Sequence, residues 1–307
     1  MTDRPLSIDI RPPLVLKAND LVLLTREDGN IPLEVPGFGL FYRDTCYLSA
    51  YGISLHDTKP LMLMSSDSQG IAAQIELTNS ALATANGRRI QNHKLSLRRA
   101  LSVLEEGPTF VDVLTLRSYA DYSIELPISL EFQTIFESMF VLRGAPPGKR
   151  GRLLAPVCSG SSLRFCYEGA DGVRRSLLVY FSITPLVAPR TCERAVAHFE
   201  LTLAPRATQE LLVSMQVDER AVDAPAPVAT TALGHAATVR KSVTVATARL
   251  LDDFAKIGTS NAKFGDVVAR SLTDLAMLQV RRGVHSFTAA GIPWFVGLFG
   301  RDSLLPA

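Results

Sequence analysis

Residues Ser123 to Phe132 read SIELPISLEF, with Ile124, Leu126, Ile128, Leu130 and Phe132 at every second position. Successive side chains of a strand point to opposite faces, so the run is a strand with one apolar and one polar face. The same period of two extends both ways, from about Leu14 to Val217, and turn residues interrupt it at short intervals. Leu14 to Leu24 and Ile31 to Val35 flank Asp28–Gly29–Asn30, which predicts a hairpin. Leu95 to Leu104 and Phe110 to Arg117 flank Glu106–Gly107–Pro108, and Leu163 to Tyr167 and Ser176 to Ser182 flank Ala170–Asp171–Gly172. Ala195 to Leu203 and Glu210 to Val217 read as a last pair around Pro205. Many antiparallel strands without intervening helices predict a mainly β chain, a large antiparallel β-supersandwich of two large sheets.

The pattern breaks at Asp218 to Ala232, a Pro/Ala-rich stretch that reads as a linker. Beyond it the period becomes helical. Ala237 to Ile257, ending at Gly258, is one expected helix; Asn261 to Arg282 is a second, with Phe264, Val267, Val268, Leu272, Leu275 and Leu278 on one stripe. Asn261 serves as its N-cap and Arg281–Arg282–Gly283 as its stop. The expected division is a sandwich over 1–217, a linker over 218–232 and a helical part over 233–307.

Composition narrows the function. With 47% hydrophobic residues in 307, the chain can bury a substantial core. The 32 basic and 30 acidic residues nearly cancel, so nothing in the charge favours nucleic acid or an anionic membrane. The pairs Arg88–Arg89, Arg98–Arg99 and Arg281–Arg282 are scattered and read as solvated faces. Four cysteines without a CxxC predict reduced, mostly buried thiols and neither a disulfide framework nor a zinc site. No leader pattern and no apolar run near ~20 residues is present, so a cytoplasmic protein is expected. His93 and His285 have no partner at triad or metal spacing, Gly37–Phe38–Gly39 precedes no helix, and no G-x-S-x-G elbow occurs.

The last fifteen residues carry chemistry. PWFVGLFGRDSLLPA (293–307) places Trp294, Phe295 and Phe299 before an adjacent Arg301–Asp302 pair. Aromatic rings stack on the apolar faces of sugars, while Arg and Asp exchange hydrogen bonds with hydroxyls, so the arrangement suits a polyol. The plain alternative is that Arg301 and Asp302 cap and orient a loop. This apolar cluster also predicts self-association. The pair Arg43–Asp44 reads as a buried turn network, since buried charges demand partners.

Two blocks resemble one family. DGNIPLEVPGFGLFYRDTCYLSAYGISL (28–55) and SLTDLAMLQVRRGVHSFTAAGIPWFVGLFGRDSL (271–304) are similar to the bacterial and archaeal glycogen debranching enzymes, or amylo-α-1,6-glucosidases. The first block resembles the opening of their N-terminal domain; the second resembles the entry to their (α/α)6 catalytic barrel, a six-hairpin glycosidase fold. Cys46 stands where the family has Arg, removing one ion pair, and in FQTIFESMFVLRG (132–144) only Arg143–Gly144 fits the family segment well.

The resemblance implies an N-terminal sandwich followed by the start of a barrel whose two catalytic carboxylates lie further downstream, so that no catalytic residue is expected in this chain. It implies hydrolysis of α-1,6-linked glucose without cofactor or metal. Arg301 and Asp302, with Trp294 nearby, would grip hydroxyls of the glucose. The expected partner is an α-glucan, glycogen or a branched maltooligosaccharide, and the chain alone is expected to be inactive. The competing reading is a non-catalytic carbohydrate-binding or scaffolding module.

Overall fold

The structure, a computed structural model, describes residues 13–33, 35, 37–68, 70–83, 89–105, 107–224, 241, 257–283, 285–292, 295–296 and 300. In chain order the first strands are β1 (Leu14–Ala18), β2 (Leu21–Thr25), β3 (Gly39–Tyr42), β4 (Thr45–Leu48), β5 (Ala50–Leu55), β6 (Leu61–Ser68) and β7 (Ala72–Thr78). Next come β8 (Leu82–Ala83), β9 (Arg89–Ile90), β10 (Leu95–Leu104), β11 (Thr109–Ser118), β12 (Ile124–Gln133), β13 (Glu137–Ser138) and the short helix α1 (Met139–Leu142). They are followed by β14 (Arg152–Ser159), β15 (Ser162–Glu168), β16 (Val173–Phe181), β17 (Leu186–Pro189), β18 (Arg194–Leu203) and β19 (Thr208–Ala221). Helix α2 (Ala262–Leu278) and the ribbon β20 (Gln279–Arg282) and β21 (His285–Thr288) are the last of these elements.

All pairings are antiparallel, and they make a β-sandwich. An eight-stranded sheet has the order β14-β15-β16-β19-β11-β10-β7-β6, a four-stranded sheet β17-β18-β12-β5, and a five-stranded sheet β1-β2-β3-β4-β13. The alternation of β12 buries Ile124, Leu126, Ile128, Leu130 and Phe132. Rings join the layers: Phe132 lies 6.0 Å from Phe181 of β16 and 5.3 Å from Tyr51 of β5, and Tyr51 lies 6.0 Å from Phe110 of β11. One contiguous apolar cluster therefore spans the main sheets.

The hairpins β10–β11 and β15–β16 form as the sequence predicts. Three other expectations need correction. Strands β18 and β19 are not a pair. β18 joins β12 and β17, while β19 joins β11 and β16, because the apolar faces of the two strands oppose each other across the core. The chain changes sheets at Arg206, whose φ is 56°. Strand β19 also runs to Ala221, four residues into the stretch read as linker.

Nor does Asp28–Gly29–Asn30 join two strands. Leu14 to Leu24 is itself the hairpin β1–β2, turning at Asn19–Asp20 with Asn19 at φ 51°, and Ile31 makes only an isolated bridge to Tyr51. The third concerns α2. Asn261 caps it as expected, its Oδ1 accepting from Phe264 N at 3.2 Å, but the helix stops at Leu278 and Gln279–Arg282 is a strand. Gly283, at φ 60°, serves the ribbon turn, and Val280 is fully buried. Helix α2 presents Met277 to Gly70, where a Cβ would lie 2.2 Å from Met277 Cγ; the bare backbone at φ 70° permits this approach. The helix expected over 237–257 lies outside the described residues.

Candidate functional site

Trp294, Arg301 and Asp302, the residues expected to contact sugar, also lie outside the described residues. What is described is the platform that leads to them, and it begins at the tip of β1–β2. Lys17 Nζ donates to the Gln279 carbonyl at 3.0 Å. Asn19 Oδ1 accepts from Arg281 N at 2.9 Å, and Asn19 Nδ2 donates back to the Arg281 carbonyl at 3.4 Å. Asp20 receives both Arg282 Nη groups, Nη2 at 2.9 Å. Three near-consecutive residues of one hairpin thus hold three of the four residues of β20.

The far end of the segment is fastened to the same five-stranded sheet. Ile292 and Val296 pack on Val22, Leu24, Phe41, Cys46 and Met139, and the Arg143 guanidinium lies 5.6 Å from the centroid of Phe295. A backbone bridge closes Gly291 on Phe295. Cys46 is buried in this apolar floor, and burial pushes its thiol well above the usual range. The floor here is greasy rather than ionic. Both ends of 279–296 thereby rest on one small sheet, and Phe295 remains half exposed.

Electrostatics extend the clamp inward. Arg43 Nε lies 3.9 Å from Asp20, and Arg43 Nη1 donates to Glu219 at 3.0 Å. Glu219 also accepts from Tyr47 Oη at 2.7 Å and lies 3.5 Å from Arg175 Nε. The turn Arg43–Asp44 is exposed, not buried as read from sequence, because it is the tip of the β3–β4 hairpin, from which Arg43 reaches this network. Lys17 is buried, and burial lowers its pKa to about 8 against Asp20 and Glu105, which favour the charged form. Asp20 holds the Arg282 guanidinium above its ordinary value, overcoming partial burial.

A second charged cluster sits inside the sandwich. Arg99 is fully buried, against the expectation of a solvated Arg98–Arg99 pair. Its Nε and Nη2 reach Asp112 Oδ2 at 3.1 and 2.6 Å, and its Nη1 reaches the Asp28 carbonyl at 2.9 Å and Asn30 Oδ1 at 2.8 Å. Tyr51 Oη donates to the same Asp112 oxygen at 2.9 Å. Burial works against the charge on Arg99, but Asp112 and Tyr51 outweigh it. The Asp28–Gly29–Asn30 turn is thus an acceptor for a buried guanidinium, and the apolar surroundings make every member costly to remove.

Other sequence readings resolve simply. His93 and His285 are exposed, and no helix follows Gly39, which opens β3. All four cysteines are free, yet only Cys46 is buried; Cys158 on the sheet edge and Cys192 in a turn are exposed, and Cys166 is intermediate. Among the described residues no three His, Cys, Asp or Glu side chains come together as a metal site, and no helix is long and apolar enough to cross a membrane. Sequence reasoning missed Lys17, Asn19, Asp20 and Asp112. Asn19–Asp20 between two apolar runs was a readable turn signal, whereas their partners lie 262 residues away.

No curated protein matches the sequence. Among solved structures, a putative kojibiose phosphorylase from human microbiome is similar over 87% of this chain and 36% of its own, at 9% identity and a TM-score of 0.49. A galactose mutarotase related enzyme from Lactobacillus acidophilus is similar over 70% of this chain and 100% of its own, at 6% identity and a TM-score of 0.38. The heparinase III BT4657 gene product with methylated lysines gives 70% and 36%, 10% identity and a TM-score of 0.39. The chain thus spans about a third of the length of the first of these. Residues 16–214, the sandwich from β1 into β19, match the family described as the N-terminal domain of (some) glycogen debranching enzymes, and the chain belongs to that family.

Proposed function

We propose that this chain is the front part of a glycogen-debranching, amylo-α-1,6-glucosidase-like glycoside hydrolase. Its sandwich, to about residue 217, is the brace; residues 218–232 link it to a helical part, 233–307, that opens a six-hairpin barrel. The observation that carries the reading is the double fastening of 279–296 to the five-stranded sheet, immediately upstream of Arg301 and Asp302. A brace that fixes the barrel's entry strand also fixes the residues that follow it.

In this reading Asp302 accepts hydrogen bonds from glucose hydroxyls, Arg301 donates a planar two-nitrogen fork, and Trp294 stacks on the ring. The ligand is an α-glucan and the reaction is cleavage of α-1,6 branch points in the cytoplasm, without a cofactor. Glycoside hydrolysis by the usual routes needs two placed carboxylates. Asp302 supplies neither the acid nor the base, so the 307-residue chain by itself releases no glucose from branched limit dextrin.

The test is steady-state kinetics on an enzyme carrying the complete barrel. Asp302→Asn keeps shape and loses charge; charge-assisted hydrogen bonds contribute about 1.5–3 kcal/mol, so kcat/KM should fall about 10- to 150-fold with the melting temperature unchanged. Near-full activity, or loss only through unfolding, would make Asp302 a structural cap. Glucose release by the isolated chain, rising with purity, would refute the division of labour.

A further inference from the structure

Three stretches far apart in sequence meet at one corner of the five-stranded sheet: the turn at Asp44, the Arg143–Gly144 end of α1, and residues 291–296. Strand β13 pairs with β4 and runs directly into α1, whose Met139 N–H donates to the Asp44 carbonyl at 2.8 Å. Ser138 Oγ caps the helix, accepting from Phe140 N at 3.3 Å. Met139 and Leu142, three residues apart, pack on the apolar floor that also holds Ile292 and Val296. Phe140 and Arg143, likewise three apart, are left exposed. Gly144 ends the helix at φ 97°, its N–H donating to the Val141 carbonyl at 2.9 Å. A Cβ there would touch nothing, so the glycine serves the left-handed backbone alone. That stop sets Arg143 at the helix end, with its guanidinium 5.6 Å from the centroid of the Phe295 ring. The Phe295 backbone is closed separately: its N–H donates to the Gly291 carbonyl at 3.1 Å, and Gly291 N–H donates back at 3.3 Å.

We propose that Arg143 is a positioning residue of the sugar site: by holding the Phe295 ring, it fixes the segment from which Trp294, the preceding residue, meets an α-glucan. The inference rests on the reading of Trp294 as a sugar-stacking ring. The contacts divide the labour. Ile292 and Val296 seat the segment on the floor, and the bridge to Gly291 closes its backbone. The guanidinium acts on the half-exposed ring itself, through its charge and its flat face, without burying a charge. Stacking of Trp on a sugar ring acts alike on bound substrate and transition state, so a misaimed Trp294 raises KM and leaves kcat unchanged. An exposed cation–π contact is weak, which sets the scale at about two- to fivefold.

Acrylamide quenching of Trp294, the sole tryptophan of the 307-residue chain, tests the positioning without any sugar. Arg143→Gln should raise the quenching constant about twofold, while Arg143→Lys, which keeps a cation for the ring, should stay near wild type. Arg150→Gln removes an equal charge from the exposed Arg150–Glu137 contact at 3.4 Å and should leave quenching unchanged. In an enzyme carrying the complete barrel, Arg143→Gln should raise KM for branched limit dextrin about two- to fivefold at unchanged kcat and melting temperature. Arg143→Lys should recover most of that loss. Quenching that moves equally in Arg143→Gln and Arg150→Gln, or in neither, overturns the proposal. So does an unchanged KM in Arg143→Gln when Trp294→Ala raises it. A Trp294→Ala enzyme with unchanged KM overturns the sugar-stacking reading of Trp294 itself, and with it the sugar half of the proposal.

Discussion

Two Arg–Asp pairs of this molecule have the same chemistry and opposite consequences. Arg99–Asp112 is fully buried between sheets, while in Arg282–Asp20 the arginine side chain is half exposed and only the aspartate is covered. The buried pair holds elements of the sandwich itself: β10, β11 and the Asp28–Gly29–Asn30 turn. The seam pair holds the segment that departs from the sandwich. Desolvation makes the first indispensable once present, whereas solvent makes the second adjustable. One pair sets whether the sandwich folds; the other sets where the next segment sits.

The largest expected effect is therefore inside. Arg99→Met should cost about 3–5 kcal/mol in urea unfolding, because the buried Asp112 loses the guanidinium that balances it, while Arg99→Met/Asp112→Leu should recover much of it. A loss under about 1 kcal/mol would erase the contrast between the two pairs.

Next is a pH ramp at the seam. The folded pKa of Lys17, about 8, lies below the unfolded 10.5, so the unfolded chain binds more protons between them and stability rises with pH. The ramp should run from about pH 8 to pH 10 and be worth on the order of 2–3 kcal/mol. Above pH 10 it should reverse: Tyr47 and Tyr51 are pushed up by burial, so only the unfolded chain then releases their protons. Urea midpoints against pH measure the profile, and Lys17→Met should flatten its rising limb. An unchanged slope in that variant would acquit Lys17.

A smaller effect belongs to Gly70. Alanine there meets Met277 and must hold φ 70°, so Gly70→Ala should destabilise the docking of α2 by about 1–3 kcal/mol. Trp294 is the sole tryptophan and lies in sequence between Ile292 and Phe295, so its emission should shift before the sandwich melts by circular dichroism. Coincident transitions would show that helix and sandwich form one unit. Smallest in stability is Asp20→Asn, under about 1 kcal/mol, yet it should raise acrylamide quenching of Trp294 where the equally charged change Asp171→Asn does not. Identical quenching in both variants would deny the seam its positioning role.

The fold was legible wherever periodicity was local. β12 follows its alternation residue by residue, and β10–β11 and β15–β16 turn where their glycines stand. Pairing partners were less legible. β18 and β19 are adjacent in sequence and equally amphipathic, yet amphipathicity alone does not say whether two apolar faces lie side by side or opposed. The end of α2 failed because Gln279 to Arg282 is equally short of helix breakers, and Lys17 and Asn19 satisfy its backbone from a distance. Of the candidate site, Arg301 and Asp302 stood out by residue type. The hairpin that fastens the segment before them did not, since a contact between Asp20 and Arg282 leaves no spacing to read.

The position of β19 has a consequence for synthesis. It is the last strand of the sandwich to be made, yet it lies in the interior of the eight-stranded sheet, between β11 and β16. As the chain leaves the ribosome, β6, β7, β10 and β11 can assemble as one half and β14, β15 and β16 as another, and no strand pairs the two halves until residues 208–221 emerge. At about 5–20 residues per second, β11 waits roughly 5–20 s for its second neighbour. During that interval the nascent chain carries two open strand edges that the finished protein hides, making this the stage at which a chaperone would have most to shield.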